Sequence, residues 1–511
     1  MHHKSPRVLA SLLVAAALVF ATHASAQTTP QFAEDGVQVQ ALEGAAPTEV
    51  CVADAPWLRL GFQSLVLLGG DSLELASSGG DSVTFAGTRW NARSFHTAAL
   101  RGDCITITPH FIDPGSAFAL SESQAGTLPL EETRADVAGA GDLCDSTPRD
   151  CGKTADLIVE IDPIVALAIG DLAYSSGKLT EFMSRYEPYW GRFKPLTMPV
   201  PGNHEYMTTN ASGYFDYFNG VGVATGQAGK RTEGWYSYDV GEWHFIALNS
   251  RSAGAVSATQ LAWLDADLRA NTKRCTAAYM HHPFVSSGRY STFPNLRPIV
   301  ERLYASKVDL LIGAHDHGYQ RFARMDADQV ARDDGFREII VGTGGSDLYT
   351  IAGTHPLFEV GNGSAFGVLH LDLGATGYEA AFVPVNGRTW TDAFEGTCHR
   401  AGGVVGDYIL TATPTISIPR GSSGAKVVTV ASYGAFHDGV KIAISGLPTG
   451  VTATIGTLTV TPPADGSATS RITLRPSTSA AVGSYPITVT GTSGTGEGAL
   501  VRSVKFTLSV K

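Results

Sequence analysis

Between residues 137 and 317, five strand-like apolar runs each end in side chains of the kind that bind metal ions. The runs read VAGAGD at 137–142, IVALAIGDLAY at 164–174, PVPGNHEY at 199–206, AAYMHHPF at 277–284 and LLIGAHDHGYQR at 310–321. In the first two runs an Asp directly follows a Gly, which favours a tight turn that exposes the carboxylate at the edge of a sheet. The pattern predicts a fold in which several strands end at one common site.

Each of these segments alone has an ordinary structural explanation. An Asp after Gly is common in turns, and a single His beside Pro is often only a satisfied polar residue. The repetition at five strand ends indicates a site, because α/β sheets build their sites at the carboxyl ends of strands. Carboxylate and amide oxygens together with imidazole nitrogens suit Zn, Mn and Fe, whereas calcium prefers oxygen alone.

The spacing of apolar residues changes along the chain and predicts three domains. Residues 27–127 alternate apolar and polar positions between Gly, Ser and Asp turns, which is typical of an antiparallel β-sandwich. Residues 128–404 mix apolar strands with helical periods, as in an α/β domain, and one helix begins at Ser257 with Gln260 completing a capping box. Residues 405–511 return to a period of two and predict an immunoglobulin-like β-sandwich. The predicted fold class is therefore multidomain, with a central α/β domain between two β-sandwiches.

The first 26 residues have the features of a secretory signal peptide. Lys4 and Arg7 precede the apolar run 8–20, and small residues at 24–26 form a cleavage site. No later stretch approaches 18 uninterrupted apolar residues, so we expect no membrane span. The run itself is short for a membrane anchor, which disfavours an uncleaved leader. We therefore predict a protein that is secreted or periplasmic.

Charge and cysteine content narrow the partners and the compartment. The sequence has 37 basic and 48 acidic residues, a net charge of −11, and no cluster of Lys or Arg, which argues against a structural nucleic-acid partner. Six cysteines in an exported chain indicate disulfides, although sequence alone leaves their pairing open. No CxxC pair is present, which disfavours a zinc site made of these cysteines. The positions favour local pairs: Cys51 with Cys104, Cys144 with Cys151, and Cys275 with Cys398.

In their order and spacing the five segments resemble the calcineurin-like metallophosphoesterase superfamily, and within it the purple acid phosphatase-like branch. The resemblance covers about residues 135–400 and rests on blocks GD, GDxxY, GNHE, an HxP-type histidine and a GHxH-like block. QLAWLDADL at 260–268 and IIVGTGG at 339–345 are similar to flanking elements of the family. The fifth block departs from the pattern by inserting Ala314, for which we expect a local adjustment of the backbone. The resemblance implies two β-sheets packed as a sandwich and flanked by helices.

The resemblance also implies a two-metal centre in which Asp171 bridges both ions. An anionic bridge fits the physics, because two cations about 3.5 to 4 Å apart repel each other. The remaining ligands would be Asp142, Tyr174 and His317 for one ion, and Asn203, His281 and His315 for the other. Many members carry His two residues after the first Asp, but here that position is Cys144, and the phenolate of Tyr174 is a hard donor suited to iron. We therefore expect Fe(III) at the Tyr174 site and Zn, Mn or Fe(II) at the second, with an ordinary core tyrosine as the alternative.

Further polar residues of these segments have predicted roles outside the ligand set. His204 has no coordination position in this scheme, and we predict that it protonates the leaving-group oxygen or holds the phosphate. His282 is assigned to substrate binding, with a structural role as the alternative. Arg289 lies in the loop where related acid phosphatases often place a substrate-contacting His, and it is the second predicted substrate-binding residue. Glu205 and Asp316 are predicted either to orient imidazole rings or to be solvated turn residues.

Together these features predict a secreted phosphatase that hydrolyses phosphate monoesters by direct attack of a metal-bound hydroxide. The substrate would be a small phosphorylated molecule, and the flanking β-sandwiches would contact a cell wall or polysaccharide. Two alternatives stay open: a phosphodiesterase or nucleotide-cleaving esterase with the same centre, and an adhesion protein whose phosphoesterase domain has lost catalysis. The complete ligand set argues against the second alternative, because a binding protein has no need of it.

Overall fold

The structure is a computed structural model that describes the following residues: 36–38, 42–44, 46–86, 94–145, 149–251, 256–290, 292–399, 407–433, 436–463, 466–494 and 500–511. The predicted signal peptide at 1–26 lies outside these residues. Within the described ranges, no helix is long and apolar enough to cross a membrane.

The first part of the chain forms two antiparallel sheets around one core. The larger sheet contains Gly36–Gln38, Leu42–Gly44, Trp57–Val66, Phe95–His96, Leu100–Arg101 and Ala117–Ala125. The smaller sheet contains Thr48–Cys51, Ser72–Ser77, Ser82–Ala86 and Cys104–His110. Because side chains alternate along a strand, Leu58 and Leu60 of one sheet share a core with Leu73 and Leu75 of the other.

The central part contains two larger sheets that face each other. One sheet has, in spatial order, Thr197–Val200, Val165–Ile169, Arg134–Ala140, Gly367–Gly374, Gly377–Pro384 and Ala393–Thr397. The other has Tyr236–Val240, Trp243–Ala247, Cys275–Tyr279, Leu310–Gly313, Arg337–Val341, Tyr319–Phe322 and Phe358–Asn362. The first three strands of the first sheet are parallel, as are the second to fifth strands of the second. Parallel strands are buried on both faces, which explains runs such as VALAI in the sequence.

Helices cover the outer faces of both central sheets. Phe245 packs between the two sheets, whereas its neighbour Ile246 packs outward in the cluster that includes Leu264 and Leu303 of two helices. The α-helices are Arg149–Ile161, Leu179–Glu181 (continued by the π-helical turn Phe182–Tyr186), Ser212–Phe218, Ala258–Ala270 and Arg297–Ala305. The 3₁₀ segments are Leu130–Glu132, Trp190–Leu196, Glu205–Met207, Thr209–Ala211 and Pro294–Leu296. This arrangement confirms the α/β architecture predicted for the centre of the chain.

The last part of the chain again forms two sheets around a single core. One contains Asp407–Thr411, Gly424–Tyr433, Ser467–Pro476 and Val451–Ile455. The other contains Thr415–Ile418, Leu500–Val510, Gly483–Ser493, Val440–Ser445 and Thr459–Val460. A separate two-stranded ribbon, Thr225–Gly226 with Gly229–Lys230, lies in the central part.

Polar contacts join both flanking parts to the centre. On one side Arg59 forms a buried ion pair with Glu242. On the other, Arg269 Nε donates to Ser432 O at 3.0 Å and Lys505 Nζ lies 3.1 Å from Asp328 Oδ1. The structure pairs the cysteines as the sequence favours: Cys51 with Cys104, Cys144 with Cys151, and Cys275 with Cys398.

Candidate metal centre

The predicted ligand residues follow the carboxyl ends of parallel strands in both central sheets. Three of them leave their strand through the left-handed region of backbone space: φ is 56° at Asp142, 51° at Asp171 and 66° at His315. Asp142 N–H donates to Gly170 O at 3.1 Å, and His315 N–H donates to Asp142 Oδ2 at 2.7 Å, so the strand ends hold one another. His315 directly follows Ala314, the inserted residue for which the sequence predicts a local adjustment of the backbone.

The first group of donor atoms surrounds the hydroxyl of Tyr174. This hydroxyl donates to Asp142 Oδ1 at 2.9 Å and lies 3.2 Å from His317 Nε2. His317 Nε2 is in turn 3.2 Å from Asp142 Oδ1. His317 Nδ1–H donates to the carbonyl of Asp347 at 2.5 Å, which directs Nε2 towards the group.

The second group of donor atoms surrounds Nε2 of His281. This nitrogen lies 3.2 Å from Asn203 Oδ1 and 3.2 Å from His315 Nδ1. His281 Nδ1–H donates to Ile169 O at 3.0 Å, so the ring presents Nε2 to the group.

One carboxylate oxygen belongs to both groups. Asp171 Oδ2 is 3.2 Å from His281 Nε2 and 3.5 Å from the Tyr174 hydroxyl. Metal–ligand bonds of about 2.0 to 2.2 Å place adjacent donor atoms about 3 Å apart. The measured donor–donor distances fit that spacing, and the donor set of carboxylate, phenol, amide and imidazole fits iron, zinc or manganese.

The charges of these buried groups depend on one another. Burial alone would lower the pKa of His281, but Asp171 and Asp142 raise it to about 9. Burial and the positive charge of His281 lower the pKa of His315 to about 4. Burial and the two carboxylates hold the pKa of Tyr174 well above its usual value. A metal ion bound among the same atoms would compete with protons for these groups.

His204 and Glu205 flank the shared carboxylate in different ways. The backbone N–H of His204 donates to Asp171 Oδ1 at 2.8 Å, while Nδ1–H donates to Ser175 O at 2.7 Å. The side chain of His204 is 27% exposed, and its Nε2 lies 3.8 Å from Asp171 Oδ2. Glu205 orients no imidazole ring, contrary to one prediction, and it is buried rather than solvated. It accepts the backbone N–H groups of Asp171, Leu172 and Gly202 at 2.9, 2.9 and 2.7 Å.

His282 packs beside the second donor group. Its ring centroid lies 4.3 Å from that of His315 and 5.0 Å from that of His281. Its Nδ1 is 2.9 Å from Ser250 Oγ. Its Nε2 is buried, and no atom of the described residues hydrogen-bonds to it. A buried polar atom of this kind needs a partner, so the ring is suited to contact a bound molecule.

The loop that carries Arg289 reaches the rim of the centre. Asp316 does not orient imidazole either: it accepts the N–H of Arg289 at 2.8 Å and the hydroxyl of Ser286. Two aromatic residues that contact the site were not predicted from the sequence. The ring of Tyr290 stacks on His315 at 4.3 Å, and the ring of Tyr349 stacks on His317 at 4.1 Å. In the sequence, Tyr290 is marked only by its place next to Arg289 in the loop. Tyr349 is marked only as an aromatic residue that follows the glycine-rich turn 342–345.

The central part of the chain is similar in sequence to known proteins. Residues 137–319 match the family of calcineurin-like phosphoesterases. Purple acid phosphatase 23 of Arabidopsis thaliana is 32% identical over 39% of this chain and 51% of its own length, and purple acid phosphatase 13 is 27% identical over 45% and 40%. A purple acid phosphatase from yellow lupin (Lupinus luteus) seeds aligns over 69% of this chain and 74% of its own, with a TM-score of 0.44 and 15% identity. The chain spans about half the length of the curated relatives it matches, or less.

The fold and these matches indicate the class of metal-dependent phosphoester hydrolases. More closely, residues 137–319 match the calcineurin-like phosphoesterase family, and the central part of the chain is similar to purple acid phosphatases.

Proposed function

We propose that the protein is a phosphatase that hydrolyses small phosphate monoesters at a two-metal centre. The observation that carries the proposal is the pair of donor groups that share Asp171 Oδ2. A single bound ion would not need two sets of donors joined by one carboxylate. Two ions held close together do need an anionic bridge between them.

The proposed ligands fall into the same two groups as the donor atoms around the Tyr174 hydroxyl and around His281 Nε2. Asp171 would contact both ions. The first ion would bind Asp142, Tyr174 and His317, and the second would bind Asn203, His281 and His315. We propose Fe(III) at the first position, because a phenolate is a hard anionic donor, and Zn, Mn or Fe(II) at the second. When bound, the ions would neutralise phosphoryl oxygens and lower the pKa of a water molecule towards neutrality.

The residues around the ions would handle the substrate. A water oxygen forms a bond to phosphorus, the bond from phosphorus to the ester oxygen breaks, and that oxygen leaves with a proton. His204 is the proposed proton donor, since it is partly exposed and its Nδ1 is already occupied by Ser175 O. His282 is proposed to hold a phosphoryl oxygen through Nε2. This role is supported because Nε2 is buried and has no hydrogen-bond partner among the described atoms.

The flanking parts and the location of the protein belong to the same proposal. We propose that residues 27–127 and 405–511 are accessory domains, an N-terminal β-sandwich and an immunoglobulin-like β-sandwich, around a catalytic domain at 128–404. Three disulfides, one in the N-terminal part and two in the central part, support an oxidising compartment, as expected of a secreted or periplasmic protein. Contact of these domains with a cell wall or polysaccharide stays a prediction.

The test is hydrolysis by the metal-loaded protein of p-nitrophenyl phosphate and of bis-p-nitrophenyl phosphate. We expect the monoester to be hydrolysed faster, and Asp171→Asn to lower both metal content and rate by at least about a hundredfold. Asp156→Asn is the matched control, because Asp156 is exposed and pairs only with Arg192 at the surface. Faster cleavage of the diester would contradict the monoester assignment, and full activity of Asp171→Asn would contradict the centre itself.

Metal identity has its own readout. An iron-bound tyrosinate absorbs visible light, so the loaded protein should be coloured and Tyr174→Phe should lose the band. A colourless and fully active protein that contains only zinc or manganese would refute iron at the Tyr174 position.

A further inference from the structure

The loop 286–290 is fastened to the turn that carries two of the proposed ligands. Asp316 lies between His315 and His317 in the sequence, and its side chain is buried. Its carboxylate accepts the backbone N–H of Arg289 at 2.8 Å and that of Tyr290 at 3.3 Å. A Cβ atom at Gly288 would lie 2.6 Å from the Asp316 carboxyl carbon, so the loop approaches as closely as glycine permits. The backbone at Arg289 is therefore fixed relative to the metal centre.

A stack of side chains holds the end of Arg289 at the rim. The ring of Tyr349 lies 4.1 Å from that of His317, with only 8° between their planes. The guanidinium carbon of Arg289 lies over the ring of Tyr349, 4.8 Å from its centroid. Tyr349 therefore contacts both His317 of the proposed centre and the guanidinium of Arg289, and it links the two through ring stacking and a cation–π contact.

Arg289 offers a positive charge to a bound molecule. Arg289 is exposed, and none of the ion pairs formed within the described ranges includes it. Several other arginines of the central part are paired with carboxylates, as Arg192 is with Asp156 at 2.8 Å and Arg302 with Asp265 at 2.6 Å. The guanidinium of Arg289 keeps its donors for an anion from solution.

We propose that Arg289 binds a second phosphate group, carried by the leaving group of the substrate, and thereby selects substrates with an anionic leaving group. The proposal rests on the proposed phosphatase function. The reacting phosphate would lie at the two-metal centre, and Arg289 touches the ring that stacks on His317, so its charge would be available at the rim to a group that projects from the reacting phosphate. Tyr349 and Asp316 act as positioning residues for this arginine, since neither offers a free charge to the substrate.

The experiment compares initial rates of phosphate release from ADP and from AMP. Hydrolysis of ADP forms a bond from water to the terminal phosphorus and breaks the bond to the bridging oxygen, so AMP, an anion, leaves. Hydrolysis of AMP releases uncharged adenosine, and the nucleoside is the same in both. The quantity measured is the ratio of kcat/KM for ADP to kcat/KM for AMP. We expect Arg289→Gln to lower this ratio about 3- to 10-fold and Arg289→Lys to lower it less.

Arg192→Gln is the matched control, because it removes one exposed positive charge that lies on the helical surface beside Asp156. The control should keep the ratio of the unaltered protein. An unchanged ratio in Arg289→Gln would overturn the inference, as would an equal fall in Arg192→Gln. Absence of phosphate release from either nucleotide and from p-nitrophenyl phosphate would instead refute the proposed function, so the two failures are distinguishable.

Discussion

Removal of the His204 imidazole separates proton donation from metal binding. The backbone N–H of His204, not its side chain, contacts Asp171 Oδ1 at 2.8 Å, so His204→Ala keeps that contact. The side chain donates to Ser175 O through Nδ1, packs its ring 4.5 Å from that of Tyr174, and approaches Asp171 Oδ2 no closer than 3.8 Å, so it occupies none of the proposed ligand positions. We therefore expect the variant to bind the same amount of metal as the unaltered protein.

The magnitude depends on how much the leaving group needs a proton. A positioned general acid contributes about 10²- to 10⁴-fold to the rate of a step that requires protonation. An alkyl phosphate such as glycerol phosphate has a strongly basic leaving oxygen, whereas p-nitrophenolate leaves readily without a proton. His204→Ala should lower kcat for glycerol phosphate by about 10²-fold or more and kcat for p-nitrophenyl phosphate by less than about tenfold.

The assay measures kcat for both substrates at equal metal content. His370→Ala is the matched control, because that histidine is 28% exposed, comparable to His204, and pairs with Asp136 at 2.7 Å away from the predicted ligands. Equal losses on the two substrates would refute proton donation and leave a phosphate-holding role. Loss of metal from His204→Ala would refute the division of ligands itself.

Three further predictions concern buried charged side chains. Glu205→Gln leaves at least one of three buried N–H donors without an acceptor, which should lower the free energy of unfolding by about 1 to 3 kcal/mol in urea titrations; an unchanged midpoint would contradict this. Arg59→Met removes one of the two cations beside the buried Glu242 and leaves Arg274 Nε 3.7 Å from Glu242 Oε2, so it should destabilise by less than the about 3 to 5 kcal/mol of a fully unpaired buried charge, with partial recovery on adding Glu242→Gln. Burial would lower the pKa of His244, but Asp267 raises it to about 9 from 6.5. Its stabilising effect is thus complete below pH 6.5 and lost as the pH rises through about 9, so unfolding of His244→Gln should lack this pH dependence.

Buried strands and helix starts could be predicted from the sequence, because they depend on residues that are close together along the chain. An apolar run such as VALAI predicts a strand buried on both faces, and Val165–Ile169 lies between two parallel neighbours. Ser257 as an N-cap predicts the start of a helix, and Ser257 Oγ accepts the N–H of Gln260 at 3.4 Å, but the predicted capping box is not completed, because the Gln260 side chain bonds the backbone of Asn249. The donors of the candidate centre could be predicted together because strand ends that run parallel meet at one edge.

Contacts between distant segments could not be predicted in this way. Glu338 lies within an ordinary strand sequence, yet its carboxyl group accepts the N–H groups of Phe284 and Val285 at 2.6 and 3.2 Å. Burial raises the pKa of Glu338 to about 8. Likewise, Glu205 follows His204 in a motif that suggested contact with a ring, but the nearest donors are backbone groups. Which donor a buried carboxyl group finds is decided by the packing of loops that no periodicity describes.

Glycine precedes three of the proposed ligands, Asp142, Asp171 and Asn203, but it cannot replace the ligands themselves. Asp142, Asp171 and His315 all have positive φ, a conformation that costs non-glycine residues about 1 kcal/mol or more each. Glycine would relieve this strain at all three positions, and it would remove the donor atom. The strain persists because each residue is held by its neighbours: Asp171 N–H donates to Glu205 Oε2 at 2.9 Å, and His315 N–H donates to Asp142 Oδ2 at 2.7 Å. Since these same bonds set the directions of the donor atoms, the fold stabilises the strained turns and orders the proposed ligands through one set of contacts.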